Sequence, residues 1–174
     1  GAIFGDVLAN LLIFNGNNVT KEYYINDYGN QIINFTESVF HRLREIQFKE
    51  KFPNKENLYP GDYVKDIAKN ILKENKKIEL NNFQKIFDIL SEQSLRHSMS
   101  LIKSDLDALG ISHDNFVSEK SLVEKKLVEK TIQNLKEKKF VDEGYLDPPK
   151  GEKNKDWKKN KRLIFKSTLF DDDT

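Results

Sequence analysis

A polar cluster, Asn26, Asp27, Gly29, Asn30 and Gln31, follows directly on a β-branched and aromatic run that ends at Ile25. Asn26 and Gln31 each offer a donor and an acceptor, Asp27 offers a carboxylate, and Gly29 admits close backbone approach. Ligands of open α/β sheets sit outside the carboxyl ends of the strands. Polar side chains at this point therefore have a physical reason to form the rim of a site. The same residues also suit a turn in which Asn26 and Asp27 make an Asx turn and cap the next helix. The residues alone leave both readings open.

Other chemistry-bearing residues point less clearly to a site. The chain has no phosphate-binding glycine loop, no HExxH and no nucleophile elbow. His41, His97 and His113 lie far apart and lack metal-ligand spacing, which is the pattern of partly buried polar residues. Asp171, Asp172 and Asp173 could hold a hard cation, but an acidic run is more often solvated. No metal site is assigned. Lys150, Lys153, Lys158 and Lys159, with Trp157 among them, could touch phosphates while the indole stacks on a base. Five acidic residues between Asp142 and Asp156 dilute that patch. The lysines of Lys120–Lys139 alternate with glutamates, as on a salt-bridged solvent face.

Behind these residues the hydrophobic spacing outlines their supports. Ile3, Val7, Leu8, Leu11, Leu12 and Phe14 predict a helix that stops at Asn15-Gly16. Val19 to Ile25 reads as a short strand, and Asn30 to about Gln47 as a helix. The stretch FPNKENLYPGDY is a loop, punctuated by Pro53, Pro60 and Gly61. Helices are predicted over Asp62–Glu74 and about Asn81–Leu109, the second with a register slip near Ser91–Ser94 and Gly110 at its end. Beyond it, HDNFVSE reads as a strand, SLVEKKLVEKTIQNLKEKK as one lysine-rich helix, and RLIFKSTLF as a final strand.

Composition bounds the class. A chain of 174 residues, 37% hydrophobic and 11% aromatic, can build a core of one ordinary domain. Charged residues make up 33% and mean hydropathy is −0.68, so surface is plentiful. A net charge of +1 excludes a global polycation, and any nucleic-acid contact needs local basic patches. The absence of cysteine excludes disulfides and thiolate zinc sites and fits a reducing compartment. No apolar run approaches the ~18 residues of a membrane span, and a soluble cytoplasmic protein is expected.

Four stretches resemble, in collinear order, the catalytic domain of bacterial-type arginyl-tRNA synthetases. GAIFGDVLANLL through EYYINDYGNQI resembles the segment directly after the family's HIGH signature. LYPGDYVKDIAKNI resembles its Tyr-x-Gly-Asp-Tyr helix start, and MSLIKSDLDALGISHDNFVSEKSL its helix leading into a Phe-x-Ser-Glu strand. GYLDPPKG and RLIFKSTLFDDD resemble the stretch ahead of the second half of the nucleotide-binding fold.

The resemblance implies an α/β fold: part of a Rossmann-like (HUP-type) class I synthetase catalytic domain, with a largely helical α/β connective insertion. It places residues 1–47 in the nucleotide-binding fold, 48–162 in the insertion and 163–174 in a strand returning to the fold. It implies a parent enzyme that works as a monomer, activates arginine with ATP and Mg2+, and transfers it to tRNA(Arg). It also makes Asn26, Asp27, Gly29 and Gln31 one rim of the arginine and tRNA-terminus pocket. The HIGH residues would lie just ahead of Gly1, and the KMSK-like loop would also lie outside the chain. No catalytic residue is therefore expected here, and the chain alone is expected not to charge tRNA. Two other readings remain from the residues: a free-standing nucleic-acid-binding module, and a helical interaction protein built on Asn81–Leu109.

Overall fold

Three helices make the core of the first part of the chain because their apolar residues recur at helical spacing. Helix α2 (Asn30–Phe48) buries Val39, Phe40 and Leu43, and α3 (Asp62–Glu74) buries Val64, Ile67, Ala68 and Ile71. The second set has the i, i+3, i+4, i+7 spacing of a single buried stripe. Helix α4 (Phe83–Ala108) closes the cluster with Leu90, and Ile78 and Leu80 fill the connection. Each such fully buried Leu or Ile contributes about 1.5–3 kcal/mol.

The computed structural model describes residues 1–76, 78–145 and 160–171. It forms two compact units, Gly1–Lys120 and Ser121–Thr174. In the first unit, α1 (Ala2–Phe14) precedes strand β1 (Glu22–Ile25), which pairs in parallel with β2 (Asn115–Ser118). Both ends of this pair are fastened by aspartates. At the amino end, the Lys21 amide donates to Asp114 Oδ2 at 2.7 Å and the Asp114 amide donates back to the Lys21 carbonyl at 2.7 Å. Lys21 Nζ also reaches Asp6 Oδ1 on α1 at 2.9 Å.

In the second unit, α5 (Glu119–Glu124), which starts at the unit boundary, is followed by α6 (Leu127–Glu137) and the antiparallel pair β3 (Val141–Tyr145) and β4 (Lys161–Phe165). A 3-10 turn, Ser167–Phe170, brings Phe170 to 5.5 Å from Phe165 in a stacked arrangement and 5.1 Å from Phe140 edge-on. The chain is thus α/β in class, predominantly helical with two small sheets. Among the described residues no helix is long and apolar enough to cross a membrane.

The predicted helices over 30–47, 62–74 and 81–109 match the observed ones within two residues. The register slip in α4 does not interrupt the helix, which runs on to a Schellman end at Gly110, φ +71°. There the Ile111 amide donates to the Leu106 carbonyl and the Gly110 amide to that of Asp107. Three expectations are corrected. The first strand covers Glu22–Ile25 rather than Val19–Ile25, and the last ends at Phe165, with Ser167–Phe170 a 3-10 turn. The lysine-rich helix is two helices, broken at Lys126 with φ +55°. The Leu-Val pairs at 122–123 and 127–128 are five residues apart, about 140° out of phase on one helix, and the break resets that phase.

Candidate functional site

The polar cluster after β1 does not cap the next helix. Helix α2 has Gly29 as its N-cap, with φ +80° and ψ −159°, and among the described residues no side-chain cap bond is made there. That backbone region is open essentially to glycine alone, so Gly29 fixes the path from strand to helix. Asn26 instead donates from Nδ2 to Gln31 Oε1 at 2.6 Å, bridging the loop from strand end to helix start. Asp27 crosses to the neighbouring strand, where Oδ2 accepts from Ser118 Oγ at 2.6 Å and Oδ1 from the Lys120 amide at 2.8 Å. It clasps the carboxyl ends of β1 and β2 as Asp114 clasps their amino ends.

The four residues expected at the rim therefore divide. Asn26 and Gln31 line a cavity of about 260 Å³ with Tyr23, Tyr24, Tyr59 and Tyr63. Its floor is apolar, from Phe35 on α2 and Leu95, Met99 and Ile102 on α4. Asp27 and Gly29 line a separate depression of about 620 Å³, with Tyr28, Ile33, Ile89 and Glu92 among its walls.

Tyr59 and Tyr63 reach the first cavity because the loop before α3 is tied to α2 at two points. Ser38 Oγ accepts from the Tyr59 amide at 2.9 Å while donating to the Asn34 carbonyl at 2.6 Å. Arg42, nearly buried, donates to the Pro60 carbonyl and to Glu45 Oε2, with its guanidinium 4.1 Å from the centre of the Phe52 ring. Gly61 leaves room for the Tyr63 ring, which would lie 2.7 Å from a Cβ at that position. The Tyr59 ring packs edge-on to Phe35 at 5.8 Å.

Electrostatics keeps this cavity neutral at its aromatic wall. Desolvation, and then the charge and hydrogen bond of Glu119, push the Tyr24 phenol above its ordinary value. Burial does the same for Tyr63. Both hydroxyls stay protonated near neutrality, that of Tyr24 engaged by Glu119. The arrangement can bind a flat or polar group between aromatic faces and an amide pair. Among the described residues no group of three or more His, Asp or Glu could hold a metal ion.

Spacing alone did not reveal that three separate stretches meet here. EYYINDYGNQ supplies β1 and the amide bridge, LYPGDY supplies Tyr59 and Tyr63, and NFVSE supplies Ser118 and Glu119. The α4 residues Leu95, Ser98, Met99 and Ile102 carry no signal beyond ordinary helical periodicity. Lys150, Lys153, Lys158 and Lys159, with Trp157, lie outside the described residues, as do Asp172 and Asp173.

No family model matches the chain. It is 53% identical over 174 residues to the arginine–tRNA ligase of Pelagibacter ubique (strain HTCC1062), an alignment spanning 99% of this chain and 30% of that protein. It is 45% identical over 173 residues to the arginine–tRNA ligase of Wolbachia pipientis subsp. Culex pipiens, with the same coverage of each. Among solved structures, one described as an arginyl-tRNA synthetase from Campylobacter jejuni superposes with a TM-score of 0.74 at 30% identity, covering 94% of this chain and 35% of that one. The chain thus spans about 30% of the length of the curated relatives it matches, and over that span it is their homologue.

Proposed function

We propose that this chain is the part of a class I arginine–tRNA ligase catalytic domain that lies between the HIGH and KMSK motifs. The observation that carries the reading is 53% identity sustained over 99% of the chain. The meeting of the EYYINDYGNQ, LYPGDY and NFVSE segments around β1 supports it, because residues far apart in sequence are held together at the carboxyl end of a strand. The parallel β1–β2 pair with helices before and after it supports a partial Rossmann-like sheet.

In this reading the parent activates arginine with ATP and Mg2+ and transfers it to tRNA(Arg), working in the cytoplasm as a monomer. Residues 1–47 and 163–174 belong to its nucleotide-binding fold and 48–162 to the connective insertion, with β2 pairing back from that span onto β1. Asn26 and Gln31 make polar contacts at the substrate pocket. Asp27 and Gly29 hold the geometry of its rim. Lys150, Lys153, Lys158 and Lys159 contact tRNA. ATP and Mg2+ serve the parent, and neither is expected to bind this chain by itself.

Catalysis of this kind stabilises charge at a phosphorus in transit, and the groups for it come from the HIGH and KMSK segments. The chain alone is therefore inactive. ATP–pyrophosphate exchange with arginine and tRNA(Arg) tests both halves: the parent should exchange and the 174-residue chain should not. Exchange by the chain alone overturns its assigned inactivity, and a parent silent with arginine overturns the ligase reading.

A further inference from the structure

We infer that the groove between the end of α2 and the outer face of α3 is an RNA phosphate-binding surface, an inference that rests on the ligase reading for its partner. The groove has a volume of about 560 Å³ and carries Lys49, Lys51, Lys65 and Lys69. The sequence separates these residues into two pairs. Lys49 ends α2 in a left-handed conformation, φ +61°, Lys51 follows it, and Lys65 and Lys69 stand one turn apart on α3.

Two carboxylates, Glu45 and Glu50, also line the groove, and each is already taken by an arginine. Arg44 grips Glu50 with two nitrogens, at 2.7 and 2.5 Å, and Arg42 holds Glu45 at 2.6 Å. Those hydrogen bonds keep both carboxyls below their ordinary range, so they stay ionised and their charge is spent locally. Lys65 lies 3.4 Å from Glu45, and Lys69 pairs with Asp66 at 2.7 Å. Such exposed pairs are weak and exchange readily for other anions. Lys49 and Lys51 have no ion-pair partner among the described residues. The lining thus sets four lysines against two carboxylates, a local surplus of two positive charges on a chain whose net charge is +1.

Lysine ammonium groups act as point charges toward phosphates, and several of them on a concave surface track a backbone without reading bases. Ile46 is the one apolar residue in the lining, too little to anchor the groove in a lipid surface. A polyanion of regularly spaced phosphates fits the groove better than a membrane does.

The test measures binding of a fluorescein-labelled RNA hairpin of acceptor-stem length to the 174-residue chain at submicromolar protein, as a function of KCl. Each phosphate contact adds about 0.7–0.9 to the slope of log affinity against log salt. Replacing Lys49, Lys51, Lys65 and Lys69 together by Gln is expected to lower that slope by about three and to weaken binding more than tenfold at low salt. The pair Lys49→Gln and Lys51→Gln, which breaks no ion pair, is expected to remove about half of the slope change. A control replacing Lys125, Lys130, Lys136 and Lys138 by Gln removes the same charge from α6 and its flanks and should change the slope by less than about one. Equal losses in the groove and control variants, or an unchanged slope in the groove variants, overturn the inference. Groove-dependent binding to phosphatidylserine vesicles in place of the hairpin overturns it in favour of a membrane. These outcomes are independent of arginine-dependent exchange by the parent, so the surface and the ligase reading fail separately.

Discussion

Asp27 follows β1 and turns its carboxylate toward the end of the neighbouring strand. Both of its oxygens are engaged, by Ser118 Oγ at 2.6 Å and the Lys120 amide at 2.8 Å. Its work is to hold β1 and β2 side by side where the polar cluster begins. Asp27→Ala removes the acceptor of both hydrogen bonds and is expected to cost about 1–3 kcal/mol in urea unfolding. Asp27→Asn keeps one acceptor and should cost less than half of that. A loss below about 0.5 kcal/mol for the alanine variant, within the range of ordinary surface changes, would show that the clasp is not needed. The side-chain types of the cluster were legible as polar groups following a strand. Their division of labour was not, because whether a carboxylate faces a cavity or a neighbouring strand depends on a residue 91 positions away.

Among the elements, the helices were readable and the strands only roughly so. Helices α2, α3 and α4 announce themselves because local periodicity and local hydrogen bonds coincide. A strand's ends are set by its partner. Val19–Lys21 have strand-like residues, but the ladder to β2 begins at Glu22, opposite Asn115. The loop between α2 and α3 is irregular in sequence and yet held firmly, through Ser38 and Arg42. Arg42→Lys retains the charge but loses the planar fork, the Pro60 carbonyl bond and the stacking on Phe52. We expect it to cost about 2 kcal/mol and to raise hydrogen exchange at the Tyr59 amide, whose bond to Ser38 depends on the same loop path. Unchanged exchange at Tyr59 would separate Arg42 from the positioning of the tyrosines.

On the scale of the whole molecule the first helix is the unusual part. Of the 13 residues of α1 only Ala9 is buried, while Phe4 is 74% exposed and Phe14 90% exposed. Ile3, Val7, Leu8, Leu11, Leu12 and Ile13 are exposed with them. So large a contiguous apolar surface marks an interaction face or a liability to associate. Among the described residues β1 and β2 form a two-stranded parallel sheet whose outer edges are unpaired, and parallel sheets ordinarily lie covered on both faces. The chain is expected to bind a hydrophobic dye and to self-associate with rising concentration in sedimentation velocity. Phe4→Lys with Phe14→Lys should shift it toward monomer while changing unfolding free energy by less than about 0.5 kcal/mol, since neither ring contributes to the core. A wild-type chain that stays monomeric and dye-silent at high concentration would show that this face is not sticky.

The sequence by itself determined the class, the main helices and the resemblance to a synthetase segment, because periodicity, caps and motif order are local properties of the chain. It also showed a polar cluster following directly on the strand that ends at Ile25. Only the tertiary structure decided which side chains act together. Asn26 and Gln31 share a cavity with tyrosines from residues 59 and 63, Asp27 serves β2, and lysines that follow α2 meet lysines of α3 in one groove. Those groupings follow from how α2, α3 and α4 pack around Val39, Leu43, Ile67 and Leu90. Packing sums many weak contacts between distant residues, and no local pattern in the chain records that sum.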